Sequence, residues 1–386
     1  MNGILSDLWK KLSQIHPVSV DRVLIDGSVI ASEGTKCELL TYGYNPKGVR
    51  KRQMTIVLAV TEGENIPVHL RIAKGNGKAY AIFRDILSDL KSVKRTFTTI
   101  VDNGFITAKS LLDLKNRELH IVTRLRHNSK VSKAVLAIVS GNFGEVALYN
   151  GSRREISRAI SWNELKDRLD PEFDAIYADF RFIAYKSYAT TEEDRSAMRK
   201  NVEKAENKFD KLKKECDVKK KRYNSTMKAV FAIASGVERF VEYDVKMTEE
   251  GATLDYKILW EKLDREEELY EYVVLASNVP DSSNVDTMDA YTKHYDIEGV
   301  YRTLKSDIGI EPLRHWNEHR VKSEVFLCVL ALMLRSTLAI LSKENVIPFS
   351  VNELLKKLDT VKLVERNGKV MKESMGEGFE LLSRIV

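Results

Sequence analysis

The stretch DRVLIDGSVI, residues 21–30, decides how the rest of the chain is read. Valine, leucine and isoleucine crowd around one acid, Asp26, and Gly34 ends the run, so the segment reads as a buried strand. Downstream, MTIVLAV and PVHLRIA are two apolar runs parted by the turn TEGEN, which predicts three antiparallel strands in all. Gly75, Asn76 and Gly77 break this pattern, and AYAIFRDILSDLKSV then places Ile82, Ile86 and Leu90 at helical spacing. A strand in TFTTIVD ending at Asp102, a helix from Ile106 to Lys115 and a short strand in LHIVTRL complete the order β-β-β-α-β-α-β.

That order matches an α/β core of the RNase H-like, retroviral integrase type. From about Arg126 to Asn278 the pattern changes. AVLAIV, EVALY and AIYADFRFIAY read as shorter strands, and a long charged helix follows with Val202, Ala205, Phe209, Leu212, Cys216 and Tyr223 at helical steps. We expect that helix to pair with Met227 to Phe240 as a hairpin. A capped helix from about Val285 to Leu304 and another from about Asn317 to Leu341 come next. The expected division is therefore an N-terminal helix (1–20), the first part of the core (21–125), a large inserted lobe of β-strands and helices (126–280), closing helices (281–345) and a C-terminal tail (346–386).

Composition sets the outer limits. The chain has 386 residues, 43% of them hydrophobic, enough for a sizeable core without staples. Cys37, Cys216 and Cys328 match no CxxC spacing, which fits a reducing cytoplasm. The N-terminal helix lacks the apolar core of a signal peptide. The apolar run from Val325 is broken at Arg335, too soon for a bilayer span, so it reads as a buried helix and no membrane partner is expected. Sixty-two Lys and Arg against 56 Asp and Glu leave a net charge of +6, which permits a polyanionic partner without requiring one. Basic clusters recur at Lys47 to Arg52, Lys91 to Arg95, Arg124 to Lys133 and Lys219 to Arg222; the last reads either as a solvated helix face or as a DNA backbone contact.

The helix around Glu298 concentrates the chemistry. At 100° per residue, Tyr291, His294, Glu298 and Lys305 fall within an arc of about 60°, with Arg302 beside them, while Ile297, Val300, Tyr301 and Leu304 form an apolar side. Spacing alone is also compatible with an ordinary amphipathic helix bearing a solvated stripe. The pattern Tyr291, His294, Glu298, Lys305 resembles the Tyr-Arg-Glu-Lys signature of insertion-sequence DDE transposases of the IS-four-like group, with His294 where that group has Arg. LIDGSVI resembles the group's first acidic strand, YGYNPKG its Tyr-Gly-Tyr turn, AKGN its Gly-Asn turn, and TTIVDNGFIT its second acidic strand. EPLRHWNEHRVKSEVFLCVLALML resembles the segment that closes such catalytic domains, so the likeness runs from about residue 20 to 342.

The resemblance implies a catalytic, metal-binding triad of Asp26, Asp102 and Glu298. Three carboxylates of that kind hold two Mg²⁺ or Mn²⁺ ions roughly 4 Å apart for in-line phosphoryl transfer. It implies DNA contacts from Tyr291, His294 and Lys305, with Arg302 adjacent, although neutral imidazole lacks the fixed charge and fork of Arg. The implied partners are double-stranded DNA, as transposon ends and target, and a second copy of the chain on that DNA. The implied setting is a prokaryotic cytoplasm, at the nucleoid. Asp26 lies close to Met1, so residues 1–20 are expected to be the remnant of a longer DNA-recognition region. Two alternatives stay open: a non-catalytic DNA-binding remnant, and an RNase H-like nuclease that cuts without joining. Asp102-Asn103-Gly104 could also be a plain tight turn.

Three other patterns compete. His315, Glu318 and His319 spell HxxEH, the inverted zinc-protease spacing, without a third ligand downstream. GNGKAY and GNFGEV form neither GxGxxG nor a Walker loop, so no nucleotide cofactor is expected. Trp162, Trp260 and Trp316 read as core or rim aromatics rather than base-stacking platforms.

Overall fold

The computed structural model describes the chain except for residues 17, 33, 35, 44–50, 94–95, 128, 140–142, 150–151, 187, 220–221, 250, 270, 360–362, 367–368 and 373–386. Most of the YGYNPKG turn, parts of the basic clusters at 47–52, 91–95, 124–133 and 219–222, and the end of the C-terminal tail lie outside the described residues. Two compact units are present, one formed by 1–123 with 277–386 and the other by 124–276.

The first unit opens with α1 (Asn2–Ile15), β1 (Arg22–Ser32), β2 (Thr41–Tyr42), β3 (Arg52–Thr61) and β4 (Pro67–Lys74). β1 and β3 are antiparallel over ten residue pairs from Val23↔Thr61 to Ser32↔Arg52. β4 pairs with β3 across the TEGEN turn, as expected, and β2, which the sequence reading did not anticipate, shares that same edge of β3 end to end with β4. Val23, Leu24 and Ile25 are all buried, which is what a strand covered on both faces requires. Then come α2 (Ala79–Val93), β5 (Thr98–Val101), α3 (Ala108–Asn116) and β6 (His120–Arg124). Here the ladders turn parallel: β5 runs beside β1 and β6 beside β5, so the order is β2-β3-β1-β5-β6. Parallel neighbours need crossovers, and α2 and α3 supply them.

Where β2 meets the end of β4, the backbones approach too closely for a side chain. A Cβ on Gly75 would stand 2.1 Å from the Gln53 carbonyl oxygen, and one on Gly43 would stand 1.9 Å from that of Gly75. Asn76 completes the junction, its amide donating to Thr41 Oγ1 at 3.1 Å.

The second unit departs from expectation first at AVLAIV. That run belongs to a helix, α4 (Lys130–Val139), not a strand. Val131, Val135, Leu136 and Val139 repeat at three- and four-residue steps, a period that six residues are too few to reveal. β7 (Phe143–Tyr149), β8 (Ser152–Ser157), β9 (Ile160–Ser161), α5 (Trp162–Leu165), α6 (Asp174–Tyr177) and β10 (Arg181–Lys186) follow. AIYADFRFIAY, expected as one strand, is thus split between α6 and β10. Tyr177 and Phe180 turn inward between them, and Tyr177 packs on Trp162, Phe180 and Phe182. The charged helix is α7 (Tyr188–Lys219), and α8 (Tyr223–Ala234) returns along it. Val202, Ala205, Phe209, Leu212 and Cys216 form one buried cluster with Val230 and Ala234 of α8, as their spacing predicts. The hairpin of β11 (Val241–Thr248) and β12 (Gly251–Ile258) covers this cluster, with Phe209 stacked on Tyr256 at 5.0 Å. α9 (Trp260–Leu269) and β13 (Tyr272–Ser277) end the unit, and β13 lies beside β10.

The chain then returns to the first unit with α10 (Asn284–Thr292), a 3₁₀ turn at Lys293–Tyr295, α11 (Asp296–Ser306), α12 (Glu318–Glu344) and α13 (Val351–Leu358). Ser283 caps α10 in a reciprocal capping box with Asp286. The expected single helix from Val285 to Leu304 is therefore interrupted in its middle. β14 (Leu363–Arg366) and β15 (Lys369–Lys372) pair as a small hairpin. The apolar helix α12 is only partly buried, contrary to expectation. One stripe, Val321, Val325, Val329, Leu332 and Met333, packs inward, while Leu327 and Leu334 face out. By length and composition α12 could cross a membrane, and 28% of its most apolar window is buried.

Candidate active site

The parallel pairing of β1 with β5 ends at Ile25↔Val101. The next residue on each strand is an aspartate, so Asp26 and Asp102 leave adjacent strands at the same level, where neighbouring backbones are about 4.8 Å apart. Gly27 completes this close packing. A Cβ there would stand 3.1 Å from Phe105, which projects from the turn after Asp102.

Asp102 does precede a tight turn, the 3₁₀ segment Asn103–Phe105, but its side chain makes no cap bond there. Its Oδ1 instead accepts a hydrogen bond from Tyr291 Oη at 3.0 Å. Local turn chemistry therefore explains the backbone of Asp102 and leaves its carboxylate for another use.

Glu298 sits in the first turn of α11, exposed. What ties α11 to β1 is Tyr301, one turn further on. Its fully buried hydroxyl lies 2.6 Å from the Asp26 carbonyl oxygen and 3.2 Å from that of Ile56, and accepts from the Leu58 amide at 3.0 Å. Asp26 and Leu58 are register partners in the ladder, so the phenol is inserted between two strands at the position of the acid. Burial, then the charge of Asp26, push the phenol well above its usual range, which keeps it a donor.

Asp26 carries the electrostatic mark of the other two carboxylates. Asp26 is pushed up to about 7, first by burial and then by the charges of Asp102 and Glu298, against the lowering effect of a backbone hydrogen bond at Gly27. An all-oxygen, mutually repelling set suits a hard divalent cation, which would relieve that repulsion. Among the described residues, no three His, Cys, Asp or Glu side chains close around a single point, so the set is open rather than a preformed cage.

The other residues singled out from sequence are dispersed. Tyr291 and His294 are buried and stack with ring centres 6.0 Å apart. His294 Nδ1 has no hydrogen-bond partner, and burial holds the imidazole below its usual range although the charge of Asp102 opposes this. Lys305 lies further along β1, its Nζ donating to the Val29 carbonyl at 2.9 Å and standing 3.8 Å from Glu311. Arg302 lines a separate cavity of about 1000 Å³ with Asp296, Thr303 and Arg335. The common face computed at ideal pitch is not kept, because a 3₁₀ turn advances about 120° per residue instead of 100°. Of the HxxEH trio, His315 precedes the α12 cap Asn317, so only His319 shares that helix with Glu318.

Sequence reading missed Tyr301, which it placed on the apolar side of the helix. The available signal was its phenol: a tyrosine on a fully buried stripe must find a partner for its hydroxyl. The register of the two aspartates was not legible either, since strand order and direction are tertiary facts.

Among solved structures, a piggyBac transposase synaptic complex with hairpin DNA resembles this chain at 11% sequence identity and a TM-score of 0.43. The likeness covers 87% of this chain and 51% of that one, so this chain spans about half the length of that transposase. No curated protein matches the sequence. Residues 21–334, from the strand of Asp26 through the helices that carry Glu298 and beyond, match the transposase DDE domain, and the chain belongs to that family.

Proposed function

We propose that the chain is a DDE transposase that cuts double-stranded DNA at the ends of a mobile element and joins the freed 3′-hydroxyls to target DNA. The β1–β6 arrangement serves as an RNase H-like core, and Asp26, Asp102 and Glu298 hold the divalent cations. The observation that carries this reading is the placement of two aspartates at one level at the ends of a parallel strand pairing, with Tyr301 tying the helix that presents Glu298 to the backbone of Asp26. When bound, two Mg²⁺ or Mn²⁺ ions activate the attacking oxygen and stabilise the leaving one.

The protein's own residues set the stage for that chemistry. Tyr291 orients the Asp102 carboxylate, and Tyr301 holds the backbone of Asp26 against the helix that presents Glu298. Without bound cations, a carboxylate set of this kind would repel a phosphodiester, and cations held by Asp26, Asp102 and Glu298 would offset that repulsion. In this reading the chain belongs to the IS-four-like group, with Tyr291, His294, Glu298 and Lys305 as its signature, Arg302 meeting DNA from a separate position, and a second copy bound at the paired ends. It works in the cytoplasm, at the nucleoid.

The test is a Mg²⁺-dependent assay on DNA bearing the inverted repeats that flank the gene. We expect cleavage and strand transfer by the wild type, lost by at least a hundredfold in Asp102→Ala with an unchanged melting temperature. Cleavage without joining would instead identify a nuclease. Binding without cleavage by either protein would identify a DNA-binding remnant.

A further inference from the structure

Beyond the carboxylates, β1 runs on to Ser32, six residues and roughly 20 Å from Asp26. α11 and the segment after it follow the same line: Lys305 reaches the strand at Val29, and residues 312–316 line a cavity of about 360 Å³ with Ala31, Ser32, Gly34 and Lys51. Among the described residues, the lining includes Lys51, Arg314, His315 and Trp316 and no carboxylate. Glu311 stands beside Lys305, and Glu324 Oε1 accepts from the Arg314 amide.

Trp316 is 61% exposed, unlike Trp162, which is buried and donates to Asp174. Its Cβ lies 3.8 Å from where a Gly34 Cβ would stand, which sets it beside the chain just past the end of β1. Across the same end of the sheet the register sets Ser32 beside Arg52 and Arg52 beside Tyr42. Tyr42 is 56% exposed, and the Arg52 guanidinium lies over its ring at 5.6 Å. Two of the four exposed large aromatics among the described residues thus sit at one edge, interleaved with cations.

From this we propose that the far end of β1, with Trp316, Tyr42, Lys51, Arg52 and Arg314, is a stacking platform for a single DNA strand leaving the carboxylate site. Aromatic faces take bases without regard to sequence, and cations between them take phosphates. A duplex offers its bases only edge-on and needs no exposed ring, so the aromatic content favours an unpaired strand. The inference rests on the proposed reaction for its context but not for its measurement.

Binding of a fluorescent 15-nucleotide oligo-dT, without metal, tests it by anisotropy. Trp316→Ala should weaken binding roughly five- to hundredfold, the range for loss of one stacked base, and Trp316→Phe should restore most of it. Phe231→Ala, an exposed aromatic on α8, should change nothing. Equal binding by wild type and Trp316→Ala would overturn the platform, as would an equal loss on a blunt duplex of the same length. Because no metal is present, these outcomes stand apart from the cleavage assay: an inactive wild type that still needs Trp316 for oligo-dT removes the reaction and keeps the platform.

Discussion

Tyr301 serves two strands and a helix with one hydroxyl. Replacing it by phenylalanine keeps the packing but leaves the Asp26 carbonyl and the Leu58 amide facing each other across a gap where the oxygen stood. Buried groups stripped of a partner cost about 1–3 kcal/mol. We expect Tyr301→Phe to lower the unfolding free energy by that amount, read as a lower urea midpoint with an unchanged slope, and to reduce cleavage more than DNA binding. An unchanged midpoint would mean that the two strands simply close up and pair directly. At the same scale, Asp102→Ala removes one oxygen donor set and frees Tyr291, an exchange that affects chemistry more than stability because the acid is only partly buried.

At the scale of elements, two junctions set how the carboxylate unit is built. α1 lies along β4, with Asn2 accepting from the Leu70 amide at 3.2 Å and its side chain 3.4 Å from His69 Nε2. His69 is buried, and burial holds its imidazole down at about 4, although Asp89 works the other way. The unfolded chain, near 6.5, takes up the proton more readily than the native one. Stability from this group is therefore complete above about pH 6.5 and is lost as pH falls through 4, by up to about 3 kcal/mol. Chemical denaturation at pH 7 and pH 5 should show this loss, and His69→Gln should flatten it. The second junction is Gly75: Gly75→Ala drives a methyl into the Gln53 carbonyl and should lower stability by about 2 kcal/mol or more, read as a depressed melting temperature.

For the whole molecule, the excess of six positive charges is small, and its distribution matters more than its size. If DNA binding follows phosphate neutralisation, affinity should fall with salt, roughly tenfold between 50 and 200 mM for every two phosphates contacted. Titration of duplex binding across that range measures the number directly. The Lys51→Ala, Arg314→Ala pair should make the single-strand slope shallower and leave that of the carboxylate variants unchanged. A flat profile would mean that the cations are spent on internal pairs such as Arg199 with Glu267 and Asp264.

The amino-acid sequence alone determined what short-range pattern can encode. The strand around Asp26, the two runs that pair antiparallel beyond it, the strand before Asp102 and the heptad-like face of α7 were legible because period and turn residues are local properties. AVLAIV was not, since a six-residue apolar run is compatible with either period and only the neighbours it meets decide between them. Nor was the 3₁₀ turn at Lys293–Tyr295, which sends Tyr291 and His294 inward and leaves Glu298 exposed. The tertiary structure decided the rest: which strands lie parallel, that two aspartates fall level, and that Tyr301 reaches between β1 and β3. These depend on residues from 22 to 275 positions apart, and long-range pairing is fixed by the whole packed core rather than by any one segment.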